Sequence, residues 1–242
     1  MTQDKYSICT VDWNPEQTKV WLHNIEKYCN NYELRMCCDD RPIKGSWDSP
    51  KLNCLEDKFN TDKVIYMDTD TIVTRDLYEM FEVQGERTLG ASLCLGSVKR
   101  LNLICGGRDN NNALAKHFGI GGSAFHVPSG LLVFNGIDTQ DFYDKWMSAY
   151  RDIEKNFTNI SGKADVNWCS EVPLSFIVSK MYLPNMDDLW AIPTKYHYYL
   201  LNGDTKARAM VPAPLILHYH SIMKRVSSAG FGKYLEVPND CE

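Results

Sequence analysis

Within the first seventy residues, three apolar runs each stop on a carboxylate, and the stretches between them carry helical spacing. Tyr6 to Val11 ends at Asp12, Tyr32 to Cys38 ends at Asp39 and Asp40, and Val64 to Met67 ends at Asp68. Between the first two, Lys19 to Cys29 places Val20, Trp21, Ile25 and Tyr28 on one side of a helix. Between the second and third, the turn-rich stretch DDRPIKGSWDSP leads into a helix expected over Lys51 to Phe59. Short apolar strands joined by helices predict parallel neighbours, because a parallel pair needs a crossover. The expected fold is therefore a Rossmann-like α/β/α sandwich with a mostly parallel central sheet. Ligands of such sheets sit beyond the carboxyl ends of the strands, which puts Asp12, Asp39 and Asp68 along one rim.

Further along, Leu89 to Leu95 and Gly130 to Asn135 read as strands, Asp138 to Tyr150 and Val172 to Met181 as helices, and Leu215 to Leu217 as a last strand. Residues 96 to 125 form a polar, glycine-rich segment expected to be a long loop, and loops of that length are usually lids or binding loops. No repeat or linker divides the chain, so residues 1–242 read as one domain: a nucleotide-binding part at about 1–95, an acceptor loop at about 96–125 and a C-terminal segment at about 215–232. A net charge of −5 gives no general attraction to phosphate backbones, so nucleic acid is not an expected partner. Nine scattered cysteines without a C-x-x-C pair indicate neither a zinc ribbon nor a disulfide framework. The N-terminal residues lack a signal pattern and no stretch approaches a membrane span, so the expected location is cytoplasmic.

VIYMDTDTIV places Asp68 and Asp70 where a buried strand emerges. In extended backbone their side chains point the same way, so two carboxylates can converge on a hard cation such as Mn²⁺ or Mg²⁺. Such an ion bridges the phosphates of a nucleotide-diphosphate sugar and neutralises charge on the departing diphosphate.

These residues and their flanks resemble the D-x-D segment of the glycosyltransferase A fold, in particular the retaining glycogenin and lipopolysaccharide galactosyltransferase family. The block runs from Lys51-Leu52 through Val64 to Asp70 and on to Leu77 to Phe81. His218-Tyr219-His220-Ser221-Ile222-Met223-Lys224 is similar to the same family's H-x-x-G-x-x-K, with serine for glycine. The resemblance implies that His218 joins Asp68 and Asp70 as a metal ligand and that Lys224 holds the diphosphate. Ser129-Gly130 matches the family's small residues beside the donor sugar, with Pro128 where the family has asparagine. Thr10, Asp12 and Trp13 match its base and ribose site, and Lys51 belongs to the donor-binding set. Ser170-Glu171 lies over the family's D-Q, which places Glu171, with Asp70, at the reacting centre. The implied activity is metal-dependent hexosyl transfer with retention, from a UDP-sugar or a GDP-sugar to a glycan or other hydroxyl acceptor.

Two other readings stand beside it. A haloacid-dehalogenase-type phosphatase also uses a D-x-D, the first aspartate as nucleophile, with Asp187-Asp188 as its later acidic pair. That motif normally ends the first strand of its domain, whereas two strand-helix units precede Asp68 here. The other alternative is a catalytically inactive sugar-binding module on the same fold.

Overall fold

β1 (Tyr6–Val11) has every residue buried, and Asn14 stops the chain after it by accepting the backbone N–H groups of Glu16 and Gln17. That cap, with Pro15 in the first turn, starts α1 (Pro15–Tyr28) four residues before the apolar spacing becomes visible. β2 (Tyr32–Cys37), α2 (Pro50–Asn53), β3 (Lys63–Met67), β4 (Thr71–Val73), α3 (Glu79–Gln84) and β5 (Leu89–Ala91) follow. Then come α4 (Ser97–Ile104), α5 (Arg108–His117), β6 (Leu131–Asn135), α6 (Thr139–Asn156), α7 (Glu171–Tyr182), β7 (Leu189–Ala191), β8 (His197–Tyr199), β9 (Ile216–His218) and α8 (Lys224–Ser228). This is a computed structural model, and it describes residues 4–38, 49–93, 97–156, 170–200, 206–220 and 222–235. Asp39 and Asp40 lie outside the described residues.

The main sheet has the order β2-β1-β3-β6-β5-β7, with β6 alone running against its neighbours. The expectation of a mostly parallel α/β sandwich holds. Alternation divides each central strand between two cores. Val64 and Tyr66 of β3 and Leu132 and Phe134 of β6 pack on the face covered by α6 and α7. Ile65, Met67, Leu131 and Val133 pack on the other, with Trp21 and Ile25 of α1 and Met80 and Phe81 of α3. Burial on both faces makes these strands read as unbroken apolar runs.

Three expectations are corrected. The helix expected over Lys51 to Phe59 is only the four-residue α2, and of the strand expected over Leu89 to Leu95 the described residues carry β5, with Cys94 and Leu95 outside them. Residues 96 to 125 are not an irregular loop but carry α4 and α5. Leu101 on α4, Cys105 just past its end, and Leu114 and Ala115 on α5 are buried against Ile153, Val172 and Phe176. Burial of each leucine stabilises by about 1.5–3 kcal/mol. The run of polar residues between them masks these positions. No helix among the described residues is long and apolar enough to cross a membrane.

A second, three-stranded sheet, β4-β9-β8, stands on the rim beyond β3; the strand expected over Leu215 to Leu217 is its β9, while β4 and β8 were not expected. It pairs residues 71–73 with residues 216–218, far apart in the sequence.

Candidate active site

Asp68 is the first residue past β3, and its backbone N–H donates to the Gly130 carbonyl at 3.0 Å. Both of its carboxylate oxygens are held. The Tyr66 hydroxyl donates to Oδ1 at 2.6 Å, and the buried ammonium of Lys51 donates to Oδ2 at 2.8 Å. Lys51 also reaches the Ser129 hydroxyl at 3.1 Å, so one cation ties the end of β3 to the entry of β6. The Thr71 hydroxyl then bonds back to the Asp68 carbonyl, turning the chain into β4.

β4 pairs antiparallel with β9 in a register that sets Thr71 opposite His218, and the Tyr219 N–H donates to the Asp70 carbonyl at 2.9 Å. Residues about 150 positions apart thus meet through backbone hydrogen bonds. His218 Nε2 lies 3.0 Å from Asp70 Oδ1. Burial opposes ionisation of Asp70, but the imidazole of His218, with Lys51 and His220 behind it, holds its carboxyl down at about 2. On its other side, His218 Nδ1 lies 3.2 Å from Nε2 of the buried His197, whose Nδ1 meets the Ser92 hydroxyl. Burial drives the pKa of His197 well below the ordinary histidine value, so it is a neutral partner with one donor and one acceptor nitrogen. His220 follows two residues after His218, and burial and the neighbouring His218 lower its pKa as well. The Tyr199 ring stacks on both, at 4.7 Å from His218 and 5.0 Å from His220.

Asp70, His218 and His220 each offer one ligand atom, and these atoms lie within 4.8 Å of one another. A carboxylate with two imidazoles is a donor set that suits divalent transition metals. Gly130 is shaped to this centre: a Cβ there would lie 2.5 Å from His218 Cε1 and 3.0 Å from Asp68 Oδ2, so any side chain would strike both.

Glu171 opens α7, and its own stripe explains its position. Ser179 accepts the N–H of Phe125 at 3.0 Å, Ser175 that of Val127 at 2.9 Å, and Glu171 that of Ser129 at 3.3 Å. Four residues of helix rise about 6 Å and two residues of extended chain about 6.6 Å, so every fourth side chain meets every second N–H. The buried His126 faces the other oxygen of Glu171 at 2.9 Å. Burial alone would raise the pKa of Glu171; the hydrogen bond and charge of His126, then Lys51 and the Ser129 N–H, lower it, so the carboxylate is ionised.

These groups line one cleft of about 630 Å³, within the range of small-ligand sites. Asp68, Asp70, His218, Lys51, Gly130, Glu171 and Trp13 face it, with Pro128 buried in its wall. Thr10, Asp12, Ser129 and Lys224 are not among its lining residues. Thr10 is fully buried in β1, the Asp12 carboxylate accepts from the Thr18 hydroxyl, and Lys224 is exposed at the start of α8. Five lining residues escaped the sequence reading: Gln17, Thr69, Arg100, Tyr199 and His220. His220 had a visible signal, since H-Y-H repeats the two-residue spacing of D-T-D. Of the polar residues expected to meet an acceptor from the 96–125 segment, Asn110, Asn111 and Asn112 bond within it and His117 pairs with Asp152 on α6. Asp187 and Asp188 sit in a 3₁₀ turn ahead of β7 and do not line the cleft, and the phosphatase reading is not favoured.

No protein-family model and no curated protein sequence matches the chain. Solved structures do. The bifunctional glycosyltransferase WbbM superposes with a TM-score of 0.56 at 14% identity over 89% of this chain, which spans 45% of the WbbM chain. The galactosyltransferase LgtC, in complex with donor and acceptor sugar analogues, gives 0.54 at 12% identity over 97% of this chain and 98% of its own. Mouse xyloside xylosyltransferase 1 gives 0.51 at 9% identity over 90% of this chain and 98% of its own. At these identities the likeness is one of fold, and the fold is the glycosyltransferase A fold.

Proposed function

We propose that this chain is a metal-dependent glycosyltransferase that moves a hexosyl group from a nucleotide-diphosphate sugar to a hydroxyl acceptor. One observation carries the reading above the others: Asp70 and His218, remote in sequence, meet 3.0 Å apart at the mouth of a cleft on the carboxyl rim of a central strand. The fold shared with sugar transferases agrees with it. Mn²⁺ or Mg²⁺ held by Asp70 and His218 would supply positive charge for the departing diphosphate. Lys51 keeps the strand end electrically balanced, and Trp13 offers an aromatic face for a base, with UDP favoured over GDP as the carrier. Arg100 on α4, exposed at the cleft wall, is a fixed positive charge on the side where the segment 96–125 would meet a glycan or other acceptor. Lys224 would reach the diphosphate from the first turn of α8.

Retention is the stereochemical outcome proposed. The bond from the anomeric carbon to the diphosphate breaks, the acceptor oxygen bonds on the same face, and its proton passes to the leaving phosphate oxygen. Glu171, ionised and beside Gly130, then orients sugar hydroxyls. If Glu171 instead takes the acceptor proton, the linkage inverts.

Calorimetric titration of UDP and GDP with and without Mn²⁺, followed by a panel of nucleotide sugars with phosphatase substrates alongside, tests the reading. Mn²⁺-linked nucleotide binding and sugar-nucleotide turnover are expected, both lost in Asp70→Ala. Full Mn²⁺-linked affinity in that variant would remove Asp70 from the centre. The anomeric proton in the product's NMR spectrum checks retention: an inverted linkage with an inactive Glu171→Gln makes Glu171 the base.

A further inference from the structure

Of the two carboxylates in the D-T-D segment, that of Asp70 groups with the imidazoles of His218 and His220, and that of Asp68 does not. Asp68 has each oxygen engaged, Oδ1 by Tyr66 and Oδ2 by Lys51. Ligation by Asp68 would set a divalent charge beside an ammonium whose side chain is only 7% exposed, and the two cations would compete for one carboxylate. His220 stands in the place a third ligand needs. Its ligand atom belongs to the same group as those of Asp70 and His218, all within 4.8 Å. Donors around one transition-metal ion lie about 2.0–2.2 Å from it, which a small closure of this group attains.

The backbone of His220 is a second, independent sign. Its φ is +51°, a left-handed conformation that costs a non-glycine residue about 1–3 kcal/mol and collects at functional sites. That turn, one residue past Tyr219, brings the ring to 4.7 Å from His218 while His220 stays exposed at the cleft.

We infer that the divalent cation is held by Asp70, His218 and His220, and that Asp68 stands outside the coordination sphere as the anchor of Lys51. This rests on the reading of the cleft as a metal-dependent donor site. Two imidazoles and one carboxylate favour Mn²⁺, Co²⁺ or Zn²⁺ over Mg²⁺, which prefers oxygen.

The test is Mn²⁺ alone, titrated into the full chain by calorimetry, with pulsed electron paramagnetic resonance counting the imidazole nitrogens on the bound ion. The wild type is expected to show two. His220→Ala is expected to show one, as is His220→Gly, which also relieves the backbone. Loss of a partner behind a ligand already weakens binding by about 10–100-fold, so loss of a ligand should weaken it at least about tenfold. Asp68→Asn, which keeps an acceptor for Lys51, should retain both nitrogens. A wild-type centre with one imidazole, or an Asp68→Asn loss equal to that of His220→Gly, overturns the inference and leaves the functional reading standing. No Mn²⁺ binding by the wild type, with or without UDP, overturns both.

Discussion

Gly130 shows how a single residue can shape the cleft by the side chain it lacks. A methyl group added there would lie 2.5 Å from His218 and 3.0 Å from Asp68, so one of the two must move. His218 is fixed on its far side by His197 and Ser92, and Asp68 by Tyr66 and Lys51, so neither yields easily. Gly130→Ala should therefore cost about 1–3 kcal/mol from overpacking. It should also abolish metal-linked nucleotide binding while the fold persists. Thermal melts and calorimetry on the same sample check both; undiminished binding would mean that His218 is free to shift.

At the scale of elements, α7 works as a clamp. Its stripe of Glu171, Ser175 and Ser179 satisfies alternate N–H groups of residues 125, 127 and 129, the extended approach to β6. The same spacing that aims Glu171 at the cleft is what holds the approach straight. Ser175→Ala leaves the buried Val127 N–H unpaired at a cost of about 1–3 kcal/mol. Denaturant unfolding should show that loss, and turnover of a nucleotide sugar should fall more than its binding, because Glu171 is the next member of the stripe. A change below about 0.5 kcal/mol, the ordinary range of neutral surface substitutions, would show that another acceptor replaces the serine.

Across the molecule, the C-terminal part is built into the N-terminal one. Leu215 and Ile216, entering β9, share a core with Tyr6 and Ile8 of β1 and with Trp21 of α1. The site likewise takes Asp70 from one part and His218 from the other. We expect one cooperative unfolding transition, with tryptophan fluorescence and far-ultraviolet dichroism superimposing in urea. Two separated transitions would show that the rim sheet melts on its own and that Asp70 and His218 can part while the main sheet stands.

Strand-helix alternation and apolar runs ending on aspartates were enough to read the parallel sheet and to place Asp68 and Asp70 at its rim, because both follow from local periodicity and from the crossover that parallel strands require. The short strands β4, β7 and β8 and the helices α4 and α5 were not legible, since three residues carry no period and the apolar positions of α4 and α5 are diluted by polar ones. Pairing was beyond local pattern altogether. The H-Y-H and D-T-D segments can each be read from sequence, but the β4–β9 register that makes Thr71 face His218, the turn at His220, and the capture of Asp68 by Lys51 are long-range events. Sequence alone determined which chemistry the chain carries, while tertiary structure decided which of those groups stand together, because contacts across about 150 residues are fixed by packing and backbone pairing rather than by neighbours in the chain.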